Sequence, residues 1–86
     1  MTQATKMLLR VVLDEPGPLY GYEISAKAGL PSGTIHPILA RLEKAGWLES
    51  AWEPVDPDAV GRPRRRYYRL TGKGDKMARE RLEAKR

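Results

Sequence analysis

Ser32-Gly33-Thr34-Ile35-His36-Pro37-Ile38-Leu39-Ala40-Arg41-Leu42-Glu43-Lys44-Ala45-Gly46 decides how the rest of the sequence is read. Ser32 is a residue type that caps helix N-termini, and Gly46 is one that stops helices. Between them, Ile35, Ile38, Leu39, Leu42 and Ala45 recur at helical spacing and mark one buried side. At about 100° per residue, the opposite side carries Gly33, Pro37, Ala40 and Lys44, flanked by Thr34, His36 and Arg41. That outer face is small at its start and basic toward its end, with Glu43 at the edge of the apolar stripe. A face without bulk lets the helix backbone approach another surface closely, and a DNA groove is the expected surface.

The residues before this helix prepare it. Thr2 or Gln3 to about Leu13 reads as a first helix, with Thr2 as N-cap and Ala4, Met7, Leu8, Val11 and Val12 on its main apolar face. Leu9 and Leu13 form a second strip, so this helix is expected to be covered on two sides, by the wing, the last helix or another subunit. Asp14-Glu15-Pro16-Gly17-Pro18 ends it. Tyr20 to Ala28 reads as a short second helix with Ile24 and Ala28 on one face, Gly21 in its first turn and Gly29 as its stop. Two short helices joined by a tight, glycine-containing turn form the helix-turn-helix pattern. Pro37 removes one helical hydrogen bond; it reads equally as an early helix former and as a kink that aims the free N–H groups of the helix start at phosphates.

The residues after the helix read as a wing. Trp47 to Trp52 is expected to be a strand with Leu48, Ser50 and Trp52 on one face. Arg64 to Leu70 is its expected partner, with Tyr68 and Leu70 inward and Tyr67 and Arg69 outward. Glu53 to Pro63, rich in Pro, Asp and Gly, reads as the loop between them. Thr71 then caps a last helix running to about Arg86, poor in apolar residues.

Charge is unevenly distributed along the 86 residues, whose net charge is +5. Residues 1–61 hold five Lys and Arg against eight Asp and Glu, a net of −3, whereas residues 62–86 hold eleven against three, a net of +8. Such an excess suits nucleic acid or an anionic membrane surface, or is simply a solvated face. No apolar run approaches the ~20 residues needed to span a bilayer, and there is no signal-peptide pattern, so a membrane partner is not expected. The absence of cysteine fits a reducing cytoplasm.

Gly61-Arg62-Pro63-Arg64-Arg65-Arg66 is the sharpest local chemistry. Arginine grips phosphates bidentately and enters narrow minor grooves, so Arg62, Arg64, Arg65 and Arg66 are expected at the DNA, on backbone or minor groove. The Gly-Arg-Pro core also resembles the AT-hook type of minor-groove binder. Asp56 and Asp58 would repel phosphates, which turns the first half of the wing toward solvent or a protein. His36 is the single histidine, and no Ser–His–Asp set, nucleophile elbow or phosphate-binding Gly-Lys-Ser/Thr loop is present, so neither enzyme chemistry nor a metal or cofactor is expected. The sequence has no Asn, and its one Gln is Gln3, so the usual bidentate reader of adenine is missing from the helix. Base reading falls to Ser32, Thr34, His36 and Arg41, helped by wing contacts and DNA shape, and Gly33, Pro37 and Lys44 are also expected at the DNA.

Three blocks in this order closely resemble the PadR-like winged-helix transcriptional regulators. They are Tyr20-Gly21-Tyr22-Glu23-Ile24, Ser32 to Leu48, and Gly61 to Thr71, within a likeness spanning roughly residues 5–78. The resemblance implies a dimeric DNA-binding repressor with its recognition helix at Ser32 to Ala45 and its wing at Trp47 to Leu70. Many members carry tyrosine where His36 stands, so an imidazole replaces a phenol. Members also continue into a longer C-terminal helix or domain that pairs subunits and often helps bind small aromatic effectors, whereas this sequence runs to Arg86.

The expected fold class is therefore α+β, a winged helix-turn-helix with three helices, a two-stranded wing and a short C-terminal helix. Residues 1–70 form the DNA-binding domain, and 71–86 a short helix that is a candidate dimerisation element. Double-stranded DNA is the expected partner, with a weak homodimer resting on Leu9, Leu13, Met77 and Leu82 and a small-molecule effector as a further option. A second reading, motivated by the acidic half-wing and the Leu9 and Leu13 strip, is a protein-interaction module that antagonises a transcription complex.

Overall fold

A computed structural model describes residues 1–15 and 17–83. Helix α1, Gln3–Asp14, starts where the Thr2 hydroxyl accepts the Thr5 N–H at 3.1 Å. Strand β1, Leu19–Tyr20, leads directly into helix α2, Gly21–Ala28, which ends at Gly29 in the left-handed conformation, φ 68°. This backbone geometry costs a side-chain-bearing residue energy and is open to glycine. Helix α3, Ser32–Lys44, follows after a short turn. The remaining elements are strand β2, Leu48–Trp52, a single helical turn α4, Pro57–Val60, strand β3, Arg66–Leu70, and helix α5, Gly72–Glu83.

The core follows the predicted periodicity except at Ala45, which is exposed at the C-cap just past the end of α3. Ile35, Ile38, Leu39 and Leu42 of α3 are buried with Leu8, Leu9 and Val12 of α1, Ile24 of α2, and Trp47, Leu48 and Tyr68 at the sheet. The expected second covered side of α1 is real, but its cover lies within the same protomer. Leu9 is 0% exposed, and α5 packs against α1. The expectation that Leu9 serves dimerisation is thereby corrected, since no surface of it remains for a partner. Leu13, Met77 and Leu82 are half-buried against the same core.

Several boundaries differ from expectation: β2 begins at Leu48 rather than Trp47 and β3 at Arg66 rather than Arg64, and three further differences have identifiable causes. Pro31, not Ser32, occupies the N-cap of α3, and its carbonyl accepts the Thr34 and Ile35 N–H groups at 2.9 and 3.1 Å. The wing is not a two-stranded unit, because β1 adds to its edge and gives an antiparallel sheet of order β1-β3-β2. Leu19 pairs with Tyr68 and Tyr20 with Tyr67, while Leu48, Ser50 and Trp52 lie opposite Leu70, Tyr68 and Arg66. Finally, residues 53–63 are not wholly loop. Asp56 caps α4 by accepting the Asp58 N–H at 3.0 Å, Pro57 occupies the first turn, and Gly61 at φ 71° closes it.

Thr71 caps α5 as expected, its hydroxyl accepting the Gly74 N–H at 2.9 Å. The same hydroxyl donates to the Gly46 carbonyl at 2.6 Å, and Lys73 Nζ donates to the Ala45 carbonyl at 3.1 Å. The start of α5 is therefore tied to the end of α3, where free carbonyls favour a cation. The expected continuation of this helix to Arg86 extends past the described residues.

Candidate nucleic-acid interface

The outer face of α3 is open to solvent along its whole length. Ser32, Gly33, Thr34, His36, Pro37, Ala40, Arg41 and Lys44 are all exposed, while the residues between them are buried or half-buried. Pro31 offers no side-chain acceptor at the helix start. With the Thr34 and Ile35 N–H groups taken by the Pro31 carbonyl, the Ser32 and Gly33 N–H groups lie at an exposed, small-residue helix start, which is the end that attracts anions. Pro37 sits inside the helix without ending it.

The helix-turn-helix turn is held from within. Ser25 Oγ donates to the Leu30 carbonyl, and the Leu30 N–H donates to the Ser25 carbonyl at 3.1 Å. At the start of α2, the Tyr20 N–H donates to Glu23 Oε1 at 2.8 Å. Gly21, the first residue of α2, faces the recognition helix: a Cβ placed there would lie 3.4 Å from His36 Cε1. This close approach agrees with the expected first-turn position of Gly21. His36, Tyr22, Arg65 and Arg66 border a shared notch of about 190 Å³. Helix face and wing root meet there.

The four wing arginines are placed differently from one another. Arg62, expected to reach outward, is turned inward onto Glu53, whose side chain is only 4% exposed. Arg66 donates to Ser50 Oγ at 3.0 Å, lies 3.6 Å from Glu43 Oε2 and stacks 5.0 Å over the exposed Trp52 ring. Ser50 Oγ also donates to Glu43 Oε2 at 2.5 Å, so Glu43 links α3 to the wing. Arg64 is exposed, and its guanidinium Nε donates to the Val55 carbonyl at 2.8 Å. Arg65 is exposed as well, its guanidinium 4.9 Å above the Tyr22 ring and 3.3 Å from the Tyr22 hydroxyl. Tyr22 in turn stacks on Tyr20 at 5.7 Å, which stiffens the platform beneath Arg65.

Glu53 is the residue that sequence reasoning passed over. Its carboxylate accepts from Arg62, from the Tyr20 hydroxyl at 3.0 Å and from the Arg65 N–H at 2.9 Å. Its own N–H donates to the Arg65 carbonyl at 2.8 Å. The Arg62 hydrogen bond is the main cause that holds the carboxyl at about 2, against the opposing effect of burial, with the Arg65 N–H and Tyr20 adding to it. The hydrogen bond to Glu53 raises the Tyr20 phenol, while Tyr68 is raised chiefly by burial. A signal was present in the sequence, since acids ahead of an arginine-rich run invite pairing. Asp56 and Asp58 lie nearer the run than Glu53, however, and the nine-residue separation has no helical or strand periodicity to single Glu53 out.

Two acids of the half-wing are employed within the fold, since Glu53 holds Arg62 and Asp56 caps α4, while Asp58 is exposed. Of the features that motivated a protein-interaction module, Leu9, Glu53 and Asp56 have internal partners, whereas Asp58 is exposed and Leu13 half-buried. An open groove of about 780 Å³ lies beside the wing, with Trp52, Pro57 and Pro63 among its lining residues. Among the described residues there is no group of three His, Cys, Asp or Glu able to hold a metal ion, and no helix is long and apolar enough to cross a membrane.

Known proteins carry the same architecture. A PadR family transcriptional regulator from Eggerthella lenta is 32% identical with a TM-score of 0.70, over 92% of this chain and 70% of that one. The DNA-bound structure of overoxidized AbfR is 25% identical with a TM-score of 0.77, over 98% of this chain and 57% of that one. The Bacillus subtilis protein YcgE, described as an uncharacterized HTH-type transcriptional regulator, is 38% identical over 45 residues, 52% of this chain and 29% of its own length. The chain thus covers well under two thirds of both AbfR and YcgE. The family described as the transcriptional regulator PadR-like family matches residues 8–80, nearly the whole of the described fold. With its three sequence blocks, its helix-turn-helix and its wing, this chain belongs to the transcriptional regulator PadR-like family.

Proposed function

We propose that this chain is a sequence-specific double-stranded DNA-binding regulator, acting as a repressor in the cytoplasm. Residues 1–70 are the DNA-binding domain, and 71–86 the candidate dimerisation element. The observation that carries the reading is the exposed face of α3, small and then basic, which shares a notch with Arg65 at the wing root. The helix start enters the major groove, with Ser32, Gly33 and Pro37 allowing close approach and Thr34, His36 and Arg41 reading base edges. Lys44, Arg64 and Arg65 meet the phosphate backbone. The DNA-bound AbfR structure supports this docking through its likeness in fold.

A weak homodimer remains part of the proposal, resting on Leu13, Met77 and Leu82. An aromatic small-molecule effector, implied by the family resemblance, belongs with that paired form. The test is selection of bound sequences from random duplex DNA, followed by affinity measurements across salt concentrations. Contact with on the order of four to six phosphates per subunit gives a steep fall of log affinity with log salt. A flat dependence, or retention of no DNA at low salt, sinks the reading.

A further inference from the structure

Within the wing's basic run, whose Arg66 is engaged by Glu43 and Ser50, the Glu53 contacts separate Arg62 from Arg64 and Arg65. We infer that Arg62 is a positioning residue that latches the wing onto Glu53, while Arg64 and Arg65 are the arginines that meet DNA. This rests on the DNA-binding reading above and goes beyond it by dividing a motif that charge alone treats as uniform.

The geometry behind the division is specific. Both terminal nitrogens of Arg62 face the Glu53 carboxylate, Nη1 bonding Oε1 and Nη2 lying 3.3 Å from Oε2. A fork of this kind satisfies the guanidinium and the carboxylate together. Arg62 Nη1 also donates to the Pro63 carbonyl at 3.2 Å, fixing the chain just ahead of Arg64. Glu53 is 4% exposed and would be left as a buried, less satisfied charge if Arg62 swung out to a phosphate. Such a swing carries a desolvation cost that an exposed arginine does not meet. Arg64 and Arg65 have no carboxylate partner among the contacts of the described residues, and their charges remain available.

The latch also reaches beyond the wing. Through the Tyr20 hydroxyl and the Arg65 N–H, the same carboxylate ties β1, the residue before α2, to the base of the wing. The angle between wing and recognition helix is thereby set before DNA arrives, so that ordering costs are met during folding rather than binding.

The test compares salt slopes on one duplex selected by the wild-type chain. Each phosphate contact contributes about 0.9 to the slope of log affinity against log salt. Arg64→Ala and Arg65→Ala are each expected to lower the slope by about that amount, whereas Arg62→Ala weakens binding about tenfold with the slope unchanged. Arg62→Lys separates the roles further. It keeps a charge for a phosphate but loses the fork, so it is expected to bind more weakly than wild type with the slope unchanged. Glu53→Gln is expected to weaken binding in the same way, and adding Arg62→Ala to it is expected to cost little more, because the two act as one unit.

A slope lowered by about 0.9 in Arg62→Ala, with wild-type affinity in Arg62→Lys, overturns the division. A readout without DNA keeps it separate from the reading it rests on: amide exchange at the Arg65 N–H, which bonds Glu53, is expected to accelerate in Arg62→Ala. Unchanged exchange there overturns the latch, whereas failure of the wild-type chain to bind any duplex overturns the DNA-binding reading and leaves the latch to the exchange measurement.

Discussion

Gly74 lies so close to the Trp47 carbonyl that a Cβ at this position would sit 1.9 Å from the oxygen. The neighbour is backbone, so no rotamer change relieves the clash. This contact fixes how α5 lands on the end of α3, together with the Thr71 and Lys73 bonds to the same turn. Ala78, fully buried one helical turn later, depends on that landing. Gly74→Ala is expected to destabilise the domain by about 3 kcal/mol or more, because either α5 or the 45–47 turn must shift. Thermal unfolding measures it, and a midpoint within a degree or so of wild type would show that α5 can dock elsewhere.

The Glu53 carboxyl, at about 2 against an ordinary 4.5, ties wing stability to acid pH. The folded form holds a proton less readily than the unfolded chain. The ionised carboxylate therefore stabilises the fold fully above pH 4.5, and this contribution fades as pH falls from 4.5 toward about 2. Glu53→Gln lacks the charge at every pH. The stability gap between wild type and Glu53→Gln is expected to be widest above pH 4.5 and to close in acid, as followed by denaturant unfolding at stepped pH. A gap independent of pH would show that the carboxylate is not favoured by folding.

What the sequence revealed depended on how local the signal was. Thr2 and Gly29 mark real helix ends because caps act within one turn. The apolar spacing of α3 separates its buried and exposed faces, because one amphipathic helix carries that pattern alone. Strand β1 was hidden, since two residues are too few to show alternation and its pairing with Tyr67 and Tyr68 is a long-range fact. Helix α4 did leave a mark in Asp56-Pro57 and Gly61, a cap, a first-turn proline and a stop, but the composition of the segment outweighed it. Leu9 lies on a covered strip as its spacing indicates, and of the covers open to it, wing, last helix or partner, the fold itself supplies one, because a helix pattern says that a side is buried and not by what.

Within the proposed interface, the exposed groups of α3 and of the wing are expected to fail differently. Thr34→Ala and His36→Ala remove side chains from the outer face of α3, and each is expected to cost about 1–3 kcal/mol on the preferred duplex and little on unrelated ones. Arg64→Ala combined with Arg65→Ala is expected to weaken all duplexes alike. Binding of each variant to a panel of single-base-pair changes distinguishes the two patterns. Equal losses across the panel for Thr34→Ala and His36→Ala would remove them from base reading.

Gly21 gives an indirect way to move His36 without altering it. A Cβ there falls 3.4 Å from His36 Cε1 and 3.9 Å from Tyr68 Cε1, which is close contact rather than a clash. Gly21→Ala is therefore expected to fold and bind much like wild type. Gly21→Val adds two methyl groups toward the space of the imidazole, which is exposed and can turn away while the buried Tyr68 cannot. The expected result is a stability loss of about 1–3 kcal/mol, together with the base preferences of His36→Ala. The preference profile is the deciding measurement. If Gly21→Val loses stability but keeps wild-type preferences, the contact between α2 and α3 serves packing alone, and the position of His36 over Gly21 has no part in recognition.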